Sequence, residues 1–308
     1  MSANSVIRAA DRLTSMHAAR RREALGWLLG LLGVLAFSLT LPMTRFAVAE
    51  LDPWFLAFGR MALAGLIALA WLALTRAPWP AHADVKLLAV SALGIVVGFP
   101  LLSSLALREI PANHGAIIVG MLPFATAVVA ALTLREKHSR RFWICAFLGS
   151  ALVVAFALRD GVHAVGLGDA WMFGAVLAGA VGYVAGGRLA ARMGGVAAIL
   201  WALVFALPLT APVAIGLALI ETPHASWPAW GAFAYVTVIS QTVGFFAWYN
   251  GLALGGIARV GQVQLLQAFF TLGAAAVFFG EDVTPITWLC AAAVVATIAI
   301  GRMEKRAT

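Results

Sequence analysis

The amino-acid sequence predicts an all-α membrane protein: ten transmembrane helices in two inverted five-helix repeats. Three observations lead there. Of the 308 residues, 63% are hydrophobic and only 11% charged, with a mean hydropathy of +0.96. No water-soluble domain has interior enough to hide that composition, so lipid must serve as much of the solvent. The apolar runs are roughly 17 to 25 residues long, the length a helix needs to cross the hydrocarbon, where every backbone amide has to be paired within the chain. Finally, the chain repeats itself. Ile110 to Cys145, moved forward by 145 residues, lays Phe124 on Phe269, Glu136 on Glu281 and Trp143-Ile144-Cys145 on Trp288-Leu289-Cys290. Leu105-Ala106-Leu107 pairs with Leu252-Ala253-Leu254, and Trp27 with Trp171, after small shifts.

Taken in order, residues 1–23 form a basic tail in which Val6, Ala10, Leu13 and Met16 recur near helical spacing among Arg8, Arg12 and Arg20-Arg21-Arg22. Such a segment is either a short helix on an anionic membrane surface or a disordered arm. The apolar run after it is too long for a cleavable signal. Spans are expected at about residues 25–46, 53–74, 85–107, 111–134 and 142–158, then 169–187, 196–219, 229–252, 260–279 and 285–301. The first repeat is residues 24–158, the second residues 169–301, and residues 302–308 close the chain as a short tail.

Charge sets the orientation. With the amino terminus inside, the basic residues fall in cytoplasmic segments, including Arg76, Lys86, Arg135, Lys137, Arg140, Arg141, Arg188, Arg192, Arg259, Arg302 and Lys305. The outer loops hold only Arg108 and Arg159, beside Glu50, Asp52, Glu109, Asp160, Asp169, Glu221, Glu281 and Asp282. By the positive-inside rule both termini are cytoplasmic. Five helices per repeat then turn the second copy upside down, an arrangement found in secondary transporters that work by alternating access. The net charge of +8 is spread over short loops and forms no stripe, so nucleic acid is not an expected partner. Cys145 and Cys290 should lie near opposite membrane faces, too far apart for a disulfide.

Proline and glycine mark irregularities. Pro42, Pro100, Pro123, Pro208 and Pro212 should break or bend the first, third, fourth and seventh helices, and Pro100 and Pro123 are gating candidates because their freed carbonyls suit a wet cavity. Gly174, Ala178, Gly182 and Gly186 form a stripe on the sixth helix, either for tight packing or for sliding. Gly182 and Gly186 are the gating candidates there.

Polar groups within the spans are the candidate ligand contacts. Gln264, Gln267 and Thr271 share a face of helix 9, with Gln262 nearby; Gln241, Phe245 and Trp248 share a face of helix 8, with Tyr249 and Asn250 beside it. A glutamine row opposite an aromatic row can hydrogen-bond an amino or carboxyl group and pack an apolar body. Val119 and Leu122 replace Gln264 and Gln267 in the first repeat. Arg60, about 10 Å below the outer end of helix 2, either binds a substrate carboxylate or snorkels to Glu50 or Asp52. Arg45 lies nearer the surface. His114 either relays a proton or is structural. Thr40, Phe99 and Tyr183 complete the set, with Ser38, Ser103 and Asn113 as weaker candidates. No acid falls deep in a span, which argues against strong ion coupling. No Walker loop, zinc-ligand spacing or nucleophile elbow is present, so no enzymatic activity, cofactor or metal is expected.

Ten helices in two halves, each ending in an apolar run, a Gly-Glu-like turn (Gly280-Glu281; Arg135-Glu136 in the first half) and a closing helix, resemble the EamA family of the drug/metabolite transporter superfamily. Arg135 departs from the usual glycine. The resemblance implies export of amino acids, other metabolites or drugs across the bacterial inner membrane, with a cavity between helices 1–4 and 6–9 and helices 5 and 10 at the periphery. The aromatic-rich eighth helix extends the likeness to the YddG-type exporters of aromatic amino acids. The expected function is therefore secondary export of aromatic or other apolar amino acids; hydrophobic cations or drugs are the alternative cargo, and a passive solute channel the alternative mechanism. The expected partners are a small-molecule substrate and the lipid bilayer, and the oligomeric state, monomer or homodimer, stays open.

Overall fold

A computed structural model describes residues 21–134, 138–158, 166–220, 223–271 and 285–302. The basic tail before residue 21, both Gly-Glu-like turns, Arg159, Asp160, Glu221 and Asp282 lie outside the described residues, as do the side chains of Asn113 and Trp288. The described residues hold helices and no strand.

Among the described residues six helices are long and apolar enough to cross a membrane: α1 (Arg21–Val48), α2 (Pro53–Leu74), α3 (His82–Glu109), α6 (Leu167–Met193), α7 (Gly195–Ile220) and α8 (Trp227–Gly255). The other expected intervals are helical as far as they are described. α4 runs in two pieces, Ala112–Val119 and Leu122–Leu134; α5 is Arg140–Leu158; α9 begins at Ile257–Gly261 and continues through Gln262–Leu266 to residue 271; α10 is Pro285–Arg302.

Local chemistry places the ends. Asp52 caps α2, its carboxylate accepting from the amides of Trp54 and Phe55 at 2.9 Å, with Pro53 at the first helical position where no amide bond is lost. Ser226 and Pro228 start α8 in the same way. Gly194 and Gly256 adopt φ of +85° and +92°, which lets α6 turn into α7 and α8 into α9 without a loop.

The irregularities fall mostly where proline directs. α1 breaks at residues 38–39, just ahead of Pro42. α4 breaks at Gly120 and Met121, ahead of Pro123. α3 widens to a π-helix over Ala92–Gly98, ahead of Pro100. α7, by contrast, runs as one uninterrupted helix through Pro208 and Pro212, where a break or bend was expected.

The first helix of each half packs across the other half. On α1, Gly26, Gly30 and Gly33 bring its backbone against Gly255, Gly251 and Trp248 of α8; a Cβ on Gly26 would lie 2.6 Å from the Gly255 nitrogen. On α6, the stripe Gly174, Ala178, Gly182 meets Leu102, Gly98 and Gly94 of α3, and a Cβ on Gly182 would lie 2.6 Å from the Ile95 nitrogen. Lipid gives no hydrophobic drive between helices, so such close backbone contact and its dispersion energy hold the bundle. α2 lies along α7, while α5 and α10 pair beside α9 around Val153, Leu265 and Val294. The outward faces stay apolar, with Leu66, Leu69, Phe147, Phe205 and Ile215 all exposed, as a lipid-facing surface requires.

Candidate functional site

The helices converge on a narrow central hollow with a mixed polar and aromatic lining. Its walls are Phe37, Thr40 and Leu41 from α1, Arg60 from α2, Ile95 and Phe99 from α3, Val119 from α4, Tyr183 from α6, Ser240, Gln241 and Phe245 from α8, and Gln264 and Gln267 from α9. A second hollow shares Leu41, Val119, Gln264 and Gln267 and adds Gly120 and Thr271. α5 contributes Val153 to this second hollow, and among the described residues neither hollow draws one from α7 or α10.

The polar wall is built by mutual hydrogen bonding. Gln264 donates to the Tyr183 hydroxyl and to Gln267 Oε1, both at 3.3 Å. Gln267 donates to the carbonyl of Phe37 at 3.2 Å, and Thr271 to that of Ser38 at 2.5 Å. These carbonyls are the ones loosened where α1 breaks. Thr40 and Ser240 bond each other at 2.8 Å, α1 to α8. Gln241 reaches the Ile95 carbonyl at 3.4 Å. In the π register that carbonyl would face residue 100, and proline has no N–H to offer it.

Arg60 is buried, 1% exposed. Its hydrogen bond to Thr44 Oγ1 is long, 3.5 Å, and its Nε has no partner. It meets neither Glu50 nor Asp52, because Glu50 accepts from the Ser226 amide and hydroxyl at 2.7 Å and Asp52 caps α2. The aromatic wall continues behind the hollow: Trp248, fully buried with no partner on its indole nitrogen, packs against Phe37 and Tyr183.

Eight residues singled out from the sequence therefore share the central hollow: Gln264, Gln267, Gln241, Phe245, Phe99, Tyr183, Thr40 and Arg60. Thr271 lines the adjoining one. Trp248 is one layer back. Tyr249 faces α3 and α6, donating to the Gly182 carbonyl at 3.4 Å and bonding Ser91 at 3.1 Å, with Gly186 directly against its ring. His114 stands away from both hollows and meets Asp169 at 2.5 Å. Arg45 donates to the carbonyls of Leu107 and Arg108, the free acceptors at the end of α3, and Asn250 accepts from the Gly195 amide at the start of α7. Ser103 bonds back to the Pro100 carbonyl.

Sequence reasoning missed a second π-helical stretch, Tyr235–Val243 in α8, at the same place in the second repeat as Ala92–Gly98 in the first. The signal was present, since Val97-Gly98-Phe99 recurs as Val243-Gly244-Phe245. A Cβ on Gly98 would crowd the Leu93 carbonyl at 2.8 Å, and one on Gly244 the Ile239 carbonyl at 3.0 Å; each is the carbonyl five residues back that the wider turn brings alongside.

Long apolar helices gathered around a polar and aromatic hollow define a multi-pass membrane protein of the solute-transporting class. The chain belongs to the EamA-like transporter family, whose model matches it twice, over residues 24–157 and 166–301. It is 45% identical over 263 residues to the uncharacterized transporter YdeK of Bacillus subtilis, covering 84% of this chain and 90% of that one. An uncharacterized transporter of Synechocystis is 24% identical over 267 residues, 79% of each chain. A crystal structure with a TM-score of 0.72 and 17% identity, covering 90% of this chain and 98% of its own, has the same fold.

Proposed function

We propose that the chain is a secondary exporter of small metabolites, foremost aromatic and other apolar amino acids, working by alternating access across the bacterial inner membrane. In this reading, ten spans form two inverted repeats, residues 24–158 and 169–301, with both termini in the cytoplasm. The observation that carries the reading is the central hollow, where glutamine amides and a buried arginine face aromatic rings. Contacts between the two halves support the relative placement of their ends. Glu50–Ser226 and His114–Asp169 join ends expected outside, while Asp84–Arg192 and Glu23–Arg259 join ends expected inside.

Access would alternate as α3 and α8 flex at their π turns against the glycine stripes of α6 and α1, with Pro100, Pro123, Gly182 and Gly186 at the moving contacts. The test is counterflow of radiolabelled phenylalanine and tryptophan in proteoliposomes. A carrier saturates and is trans-stimulated, and Gln264→Leu with Gln267→Leu should lower uptake at least tenfold; linear, unstimulated flux or an unaffected double variant would refute the reading.

A further inference from the structure

We infer that the hollow selects its cargo by a carboxylate group held by Arg60, and that the amide oxygen of Gln264 takes a donor at the cargo's other polar end. This rests on the reading of the hollow as the substrate site and narrows it, excluding organic cations.

Charge balance carries the inference. Arg60 lines the hollow with a guanidinium withdrawn from water and only one long hydrogen bond. Among the described residues the ion pairs are His114–Asp169, Arg192–Asp84 and Arg259–Glu23, and no acidic side chain lines the hollow. A buried charge left unpaired costs several kcal/mol, and intramembrane charges of this kind serve function. A lone fixed positive charge in a low-dielectric pocket repels cations and favours one anion, and the planar guanidinium matches a carboxylate with two parallel N–H donors. A phosphate dianion would call for a second cation, and the described residues of the hollow include none; the surrounding Phe37, Phe99 and Phe245 suit an apolar body instead.

The glutamine wall adds the complementary half. Both amide N–H groups of Gln264 are spent, on Tyr183 and Gln267, while Gln267 and Gln241 each donate once, to the carbonyls of Phe37 and Ile95. Gln264 Oε1, buried in the same wall, has no partner. The wall therefore offers an acceptor, which an ammonium or hydroxyl satisfies. An apolar α-amino acid presents both features; its deaminated acid presents one, and its decarboxylated amine lacks the one Arg60 requires.

Purified protein in nanodiscs is titrated calorimetrically with phenylalanine, 3-phenylpropionate and 2-phenylethylamine. Phenylalanine should bind most tightly, 3-phenylpropionate more weakly, and 2-phenylethylamine not measurably. Arg60→Gln should weaken both acids roughly 100-fold or more, Arg60→Lys less; Gln264→Leu should weaken phenylalanine and leave 3-phenylpropionate nearly unchanged. Removing an unpaired buried charge should not lower the melting temperature of Arg60→Gln, which separates lost binding from lost fold. Amine binding equal to that of phenylalanine, unchanged binding in Arg60→Gln, or no binding of any of the three overturns the inference. Binding of the acids without flux in proteoliposomes would instead count against the exporter reading alone.

Discussion

Phe99 and Phe245 occupy the same position in the two copies of the repeat, within two residues of the end of a π-helical stretch, and both rings border the central hollow. Replacing either by alanine removes one aromatic wall while leaving Arg60 and Gln264 in place. Phe99→Ala and Phe245→Ala should each raise the half-saturating concentration for an aromatic amino acid about 5- to 30-fold, from the loss of ~1–2 kcal/mol of apolar contact. Concentration-dependent counterflow in proteoliposomes measures it.

Gly186 has no room to grow. A Cβ there would fall 2.0 Å from the ring of Tyr249, which is fully buried and pinned by Ser91 and the Gly182 carbonyl. Gly186→Ala should cost about 1–3 kcal/mol, seen as a drop of several degrees in thermal unfolding. Gly216→Ala, with nothing within 4 Å of the new methyl, should instead leave stability level or slightly raised, since alanine suits a helix better by up to ~1 kcal/mol.

The Glu50–Ser226 contact brings a pH dependence. The Ser226 amide, and then its hydroxyl, hold the Glu50 carboxyl below its ordinary pKa of 4.5. A depressed carboxylate pKa contributes stability that is fully present above the ordinary value and lost as pH falls through the lowered one. Wild type should therefore outlast Glu50→Gln in thermal unfolding at pH 7, and the gap should close in acid below the ordinary glutamate range. A gap that widens in acid would reverse the sign.

Gln241 and Pro100 should be coupled. Gln241 donates to the Ile95 carbonyl, which Pro100 cannot serve in the π register. Gln241→Leu should cost about 1–2 kcal/mol in the parent chain and distinctly less in Pro100→Ala, where an N–H returns to the helix. Melting temperatures of the four proteins complete the cycle.

Much of this arrangement was legible in the residues. Period and run length marked the helical intervals, and the identities around Phe124 and Phe269 exposed the duplication. Gln264, Gln267, Phe245 and Arg60 could be singled out because polar and aromatic groups within spans are uncommon enough to stand out. Directions were harder. A single π turn rotates everything beyond it by nearly a third of a circle, so Gln241, Phe245 and Trp248, one face on an ideal helix, split between the hollow's wall and the layer behind it. His114 could not be placed from its own helix, because Asp169 lies on another. Pro208 and Pro212 broke nothing, which no local rule on proline anticipates.

The crossed packing of α1 on α8 and α6 on α3 means that neither half is a complete body: each lends its opening helix to its sibling and borrows one back, like two hands with fingers laced. Expressed alone, either would present a bare backbone trough along Gly94 and Gly98 or along Gly251 and Gly255. Severed between α5 and α6 and produced together, the two pieces should clasp and purify as one, because each carries the helix that the other's trough is shaped to take.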